Sequence, residues 1–168
     1  CKPCPLYFLP YYDKIPTMRI LLASSSPRRI ELLKTLGFDL LIIAPDIDET
    51  VLEGETAEQM VCRLAKQKAR VVWSKGPKNL PIIAADTTIC LDNHILGKPE
   101  DNDDAFRMLK MLSGKTHDVI TGYAVKKNQT EEIGLVKTKV TFRELTDKEI
   151  LSYVETGESL NKAGAYAI

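Results

Sequence analysis

Short apolar runs alternate along this chain with longer segments whose apolar residues recur at helical spacing. Runs of that length and period fit buried or half-buried strands, and they lie at 20–23, 39–44, 82–91, 117–126 and 133–142. The helical segments lie at 27–36, 56–74, 103–112 and 146–155. Strands interleaved with helices in this order predict an α/β domain built on a mixed sheet.

Two of these helices carry specific signals at their first residues. Pro27 occupies the first position of the first helix, with Ser26 before it as the N-cap. Thr56 and Gln59 have the spacing of a capping box, in which each side chain bonds the other's backbone N–H. The first helix therefore begins at the serine-rich turn that ends the first strand.

Length and charge limit the class of protein. The chain has 168 residues, with 23 Lys and Arg against 23 Asp and Glu, so its formal net charge is zero. This length predicts one domain with one filled core. The balanced charge argues against nucleic acid held by bulk charge. No run reaches the ~18 apolar residues of a membrane-spanning helix, so we expect no membrane partner.

The N-terminal segment and the cysteines bear on domain limits and compartment. Residues 1–17 hold four prolines and no regular pattern, so we expect an N-terminal extension outside the core, with a docked arm as the alternative. The core domain then covers 18–168.

Cys62 and Cys90 fall in a helix and a strand, where a free thiol packs as a small apolar group. This usage fits a reducing cytoplasm better than a disulfide-stapled secreted domain.

Two arginines follow Pro27 in the first turn of the first helix. Arg28 and Arg29 oppose the positive end of the helix dipole there, which costs a few tenths to about 1 kcal/mol. With the serines at 24–26 and the free N–H groups of the turn, they would cradle an anion. Two solvated arginines are the alternative. The order of strand, serine-rich turn and helix favours a phosphate.

Lys68 breaks the pattern of the long helix. At 100° per residue it lies in the middle of the apolar stripe, whereas Lys66 and Arg70 fall on the opposite face. A lysine directed at the core either extends to an edge of the protein or meets an anion there. The sequence leaves both possibilities open.

Asp86 breaks the pattern of the apolar strand at 82–91. A carboxylate in such a strand is costly to bury unless it pairs, binds a metal or opens on a cleft, and a structural arginine partner is the alternative. Twelve residues further, Lys98 stands in a tight turn. The acidic loop before the long helix adds Asp46, Asp48 and Glu49, hard oxygen ligands suited to Mg²⁺ or Mn²⁺ unless they are only solvated.

These features together describe metal-assisted phosphate chemistry on an α/β domain. The chain has neither the GxxxxGK[ST] pattern of a P-loop nor the GxGxxG pattern of a dinucleotide site. The residues alone therefore predict a phosphate-handling α/β enzyme of neither class.

In their order and spacing these residues resemble the Maf family (septum-formation-inhibitor-like proteins), which are nucleoside triphosphate pyrophosphatases. The resemblance implies an elongated mixed sheet with flanking helices and two lobes around a central cleft, a Maf/Ham1-like fold that is often homodimeric. The matching blocks are LASSSPRRIELLKTLG (22–37), DIDET (46–50), RLAKQKA (63–69), AADTTICLD (84–92), LGKP (96–99), LSGKTHDVITG (112–122) and LNKAGAYAI (160–168).

The resemblance also implies a reaction and the roles of residues. A house-cleaning hydrolase of this family cleaves between the α- and β-phosphates of a nucleoside triphosphate, with a divalent cation, Mg²⁺ or Mn²⁺. Asp86 would accept the proton of the attacking water or bind the metal, and Glu49 would be a metal ligand. The implied phosphate-binding residues are Ser24, Ser26, Arg29, Lys68 and Lys98.

Subfamily motifs bear on the substrate. The SPRR, ADT and KAGAY blocks of this chain resemble members that prefer dTTP and UTP, and Arg28 and Thr87 would tune that choice. Members that prefer 7-methyl-GTP carry a tryptophan in the first block and a glutamine after the aspartate. A pyrophosphatase acting on 7-methyl-GTP, or a non-catalytic nucleotide-binding regulator of septum formation, are the alternatives.

The last matching block also marks a departure from the family. Family members continue beyond it with a glutamine and with further strand and helix segments, whereas this sequence stops at Ile168. The resemblance therefore implies a domain truncated at its C-terminus, without a base-contacting residue and without part of one lobe.

Overall fold

The computed structural model describes residues 17–166, so the predicted extension over 1–17 lies almost entirely outside the described residues. Within this range the strands are β1 (Arg19–Ala23), β2 (Asp39–Ile42), β3 (Ile82–Leu91), β4 (His94–Leu96), β5 (Thr116–Lys127) and β6 (Thr130–Thr141). The helices are α1 (Pro27–Thr35), α2 (Ala57–Lys75), α3 (Asn102–Leu112) and α4 (Asp147–Glu155), and a 3₁₀ turn follows at Ala163–Ala165.

The strands form one mixed sheet, as the sequence predicted. Their order is β2-β1-β3-β5-β6, and β4 pairs with β3 beyond the end of β1. β1 is parallel to both of its neighbours, whereas β5 is antiparallel to both β3 and β6. β1 pairs with β3 up to Ala84, and β4 begins its pairing at Ile89. Residues 85–88 of β3 therefore have a strand on one side only within the described sheet.

Several predicted boundaries are wrong by a few residues. β6 begins at Thr130, three residues before the predicted start. β6 is the edge strand of the described sheet and is largely exposed. Polar residues such as Glu131 and Glu132 therefore interrupt the alternation of apolar and polar residues by which a strand is identified in a sequence. β2 ends at Ile42, two residues before the predicted end, and the three-residue strand β4 was not predicted.

α2 lies directly on the sheet because β5 has a glycine beneath it. A Cβ atom on Gly122 would stand 2.5 Å from the backbone carbon and oxygen of Val61, too close for any side chain. Alanines and Val72 of α2 pack next to this contact against Leu21, Ile82, Ala84 and Ala124. Gly122 is the register partner of Asp86 on β3, so this close approach brings α2 over Asp86.

The apolar core divides into parts on either side of residues 85–88. One part joins α2 to β1 and the first residues of β3. Other clusters join α3, α4 and the 3₁₀ turn to the last residues of β3, around Leu109, Ile150 and Leu112. This division agrees with the two lobes that the resemblance implied. None of the helices between residues 17 and 166 combines the length and apolarity that crossing a bilayer requires.

Candidate active site

Lys68 stands at the centre of a buried charge cluster. It is 6% exposed, and its Nζ lies 2.5 Å from Asp86 Oδ1 and 2.6 Å from Glu49 Oε1. Of the two possibilities left open by the sequence, the lysine therefore meets anions and does not extend to an edge. Asp86 is 8% exposed, and its partner is this lysine, not the structural arginine that was the alternative.

Glu49 connects Lys68 to the turn after β4. Its second carboxylate oxygen lies 3.4 Å from Lys98 Nζ. Partial burial alone would raise the pKa of Glu49, but the hydrogen bonds and charges of Lys68 and Lys98 outweigh it and lower that pKa. Glu49 is therefore anionic at neutral pH.

Arg29 occupies the side of β3 that lacks a strand. Its Nη1 donates to the carbonyl oxygen of Ala85 at 2.9 Å, and its Nη2 donates to Thr87 Oγ1 at 2.9 Å. Burial lowers the pKa of Arg29, and the negative charges of Asp86 and Glu49 act against that shift. A guanidinium has five N–H donors, so these two bonds leave donors for an anion.

The other residues of the first helix are placed differently. Ser24 is buried, and its Oγ accepts the backbone N–H of Ser26 at 3.1 Å. Ser26 is the N-cap, as predicted, but its side chain makes no capping hydrogen bond, so its hydroxyl does not occupy the N–H groups of the first turn. Arg28 is exposed, and its charge acts on Glu158 near the end of the chain. The pKa of Glu158 is lowered mainly by a hydrogen bond from Lys162, and the charge of Arg28 contributes to a smaller extent.

Thr87 projects from the face of the strand opposite to Asp86, since neighbouring residues of a strand point to opposite faces. Its hydroxyl accepts from Arg29 and lies 3.0 Å from Thr121 Oγ1. The hydroxyl predicted to tune base choice is thus already bonded within the protein. Its role in specificity stays a prediction.

The carboxylates of the acidic loop and of β3 include two that could hold a metal ion. Between residues 17 and 166 no group of three or more His, Cys, Asp or Glu side chains is arranged to hold a metal ion. Asp48 of the acidic loop bonds the backbone and hydroxyl of Thr50 instead. Glu49 and Asp86 do approach one ammonium group together. Mg²⁺ commonly takes one or two carboxylates and completes its shell with water and substrate phosphates, so this pair fits such an ion.

Arg63 is a site residue that sequence reasoning missed. Its guanidinium bonds both carboxylate oxygens of Glu55, at 2.6 and 2.7 Å, and the carbonyl oxygen of Thr50 at 3.0 Å. It thereby ties the acidic loop to α2 at two residues that follow Glu49. No spacing rule in the sequence indicates this contact, because the loop does not follow the helical period.

Known proteins match most of this chain. The model of a family described as Maf-like protein matches residues 19–168. A dTTP/UTP pyrophosphatase of Myxococcus xanthus is 51% identical over 149 residues, which are 89% of this chain and 75% of that protein. A dTTP/UTP pyrophosphatase of Chromobacterium violaceum is 50% identical over 157 residues, 89% of this chain and 78% of that protein.

One solved structure resembles the fold more distantly. It is described as a nucleoside-triphosphatase / dITP/XTP pyrophosphatase from Mycobacterium abscessus, and it is 16% identical to this chain. The two match with a TM-score of 0.46 over 74% of each chain. A likeness of that size carries no functional argument.

Proposed function

The chain belongs to the Maf family, and on that premise we propose that it is an enzyme that hydrolyses dTTP and UTP to the monophosphate and pyrophosphate. Relatives that are about 50% identical to this chain are named dTTP/UTP pyrophosphatase, which supports this activity. The observation that carries the proposal is the buried Lys68, whose ammonium bonds Asp86 and Glu49 at once.

Asp86 is the group proposed to accept the proton of the attacking water. The carboxylate is buried and belongs to residues 85–88 of β3, which have a strand on one side only and Arg29 on the other. Lys68 bonds one of its oxygens, which holds the carboxylate in place. A general base held in this way takes the water proton as the oxygen attacks the α-phosphorus, and pyrophosphate is the leaving group.

The cations of the site are proposed to hold the triphosphate. Arg29, Lys68 and Lys98 lie around the two carboxylates, and the first turn of α1 adds backbone N–H groups. Three cationic and two anionic side chains leave one net positive charge. That is well short of what a triphosphate needs for neutrality, so we propose that a divalent cation takes part.

We propose Glu49 and Asp86 as the ligands of Mg²⁺ or Mn²⁺. Both carboxylates supply hard oxygens, and the lowered pKa keeps Glu49 anionic. When bound, such a cation neutralises charge on the phosphate oxygens as it develops.

We also propose that the protein works in a reducing cytoplasm and that it forms a homodimer. Cys62 and Cys90 are both free thiols, which supports a reducing cytoplasm. The family resemblance is the support for a homodimer. The substrate is a small molecule, and the zero net charge argues against a nucleic-acid partner.

Substrate choice is the direct test of the proposal. We expect kcat/KM to be highest for dTTP and UTP, lower for CTP and lowest for 7-methyl-GTP. A methylated guanine is cationic and favours an aromatic face, whereas an uncharged pyrimidine needs polar groups such as those of Arg28. The measurement is kcat/KM for these four nucleotides with Mg²⁺ present.

Two outcomes of this panel would contradict the proposal in different ways. A clear preference for 7-methyl-GTP would overturn the pyrimidine assignment and leave the pyrophosphatase chemistry standing. Tight binding of nucleotides without turnover of any of them would favour the non-catalytic regulator.

A further inference from the structure

The block at 163–166 lies within the part of the chain that matches the family. The described side-chain bond from it goes to His117, and the described ion pairs of the charge cluster do not include it. It forms the 3₁₀ turn Ala163–Ala165, followed by Tyr166. We propose that Tyr166, anchored by His117, is a positioning residue that holds Lys98 in place for the substrate through this turn. The inference rests on the proposed role of Lys98 in holding phosphate.

The first link joins the turn to the residue before Lys98. The backbone N–H of Gly164 donates to the carbonyl oxygen of Gly97 at 2.9 Å. Gly164 has a φ of +65°, and a Cβ atom there would stand 2.5 Å from Ile89 Cδ1. A side chain at this position would strain the backbone and crowd Ile89, so glycine favours the close approach of the turn to β3 and Gly97.

The second link anchors the turn to β5. The hydroxyl of Tyr166 lies 2.6 Å from Nε2 of His117, a residue that is 3% exposed. The Tyr166 ring also packs edge-on against Phe142, with centroids 4.7 Å apart. Burial lowers the pKa of His117 and raises the pKa of Tyr166 to about 12, so both groups are neutral at pH 7. The hydrogen bond between them is then one between neutral partners.

Lys98 needs such support because its own side chain makes little contact. The side chain is 59% exposed, and its ion pair with Glu49 is long, at 3.4 Å. The backbone before it is held by the pairing of Leu96 with Ile89. The bond from Gly164 holds Gly97, the residue directly before Lys98, so loosening the turn leaves the lysine less ordered.

The test is a double-mutant cycle on dTTP hydrolysis with Tyr166→Phe and Lys98→Met. Tyr166→Phe removes only the hydroxyl, and we expect it to raise KM about three- to tenfold with kcat nearly unchanged, the size expected for one lost hydrogen bond. In the Lys98→Met background the same change is expected to have no further effect on KM, because the residue it positions is gone.

Tyr153→Phe is the matched control. Tyr153 packs in the same lobe, and its buried hydroxyl has no hydrogen-bond partner within the described part of the chain. We expect its removal to leave KM unchanged. An unchanged KM in Tyr166→Phe, or an equal rise in KM with and without Lys98, would overturn the positioning role. Failure of the unmodified protein to hydrolyse dTTP would instead overturn the proposed function on which this inference rests.

Discussion

Replacing Asp86 with asparagine is expected to lower kcat for dTTP by about 10²–10⁴-fold, the contribution typical of a general base. Asparagine keeps the shape of the side chain but cannot accept the proton of the attacking water. The change leaves no buried cation without a partner, because Lys68 retains Glu49 at 2.6 Å. We therefore expect the variant to fold. The measurement is kcat at saturating dTTP, with thermal unfolding measured alongside.

Asp48→Asn is the matched control for this experiment. Asp48 precedes Glu49 in the acidic loop, but its carboxylate bonds only the backbone and hydroxyl of Thr50 among the contacts described here. Its removal is expected to leave kcat within about twofold, since it affects a local turn at the surface. A kcat for Asp86→Asn equal to that of the unmodified protein would mean that Asp86 serves the structure and not the reaction.

The second large effect is expected for Lys68→Met. The sequence alone favours tolerance, because methionine suits the apolar stripe of α2. The structure reverses that expectation, since removing the ammonium leaves the buried Asp86 carboxylate without its partner. Breaking one partner of a buried pair typically costs about 3–5 kcal/mol. We expect a loss of that order in the free energy of unfolding at pH 7, together with a large rise in KM.

A second substitution separates charge from packing in this prediction. Lys68→Met combined with Asp86→Asn removes both charges, so the double variant should be more stable than the sum of the single losses predicts. Lys66→Met serves as the control, since Lys66 lies on the opposite face of α2, and it should change the free energy of unfolding by about 0.5 kcal/mol or less. If Lys68→Met had the same free energy of unfolding as the unmodified protein, the result would contradict a buried ion pair between Lys68 and Asp86.

Local signals explain why much of the fold was predictable. The capping box of α2 is present as its spacing indicated, with Gln59 N–H donating to Thr56 and the Gln59 side chain accepting in return. The largely apolar pattern of β3 predicted its bounds, 82–91, without error. Asp86 and Lys68 were identified for the same reason, because each is a charge inside an apolar pattern.

The contacts of the site could not be predicted, because they depend on long-range packing. The bond between Lys68 and Asp86 requires α2 to approach β5 at Gly122, a residue that has no side chain to form a pattern. The bonds of Arg29 to Ala85 and Thr87 exist because β1 ends and β4 begins at particular registers of β3. Register of this kind is set by the whole sheet.

Identification of the products of dTTP hydrolysis is the most direct test of the central claim. The protein is incubated with dTTP and Mg²⁺, and the phosphorus-containing products are resolved by ³¹P NMR. Cleavage between the α- and β-phosphates predicts dTMP and pyrophosphate in equal amounts. We expect both to form about 10²–10⁴-fold more slowly with Asp86→Asn, and neither to form after chelation of the metal. Release of dTDP and orthophosphate, or no hydrolysis of dTTP at all, would contradict the account.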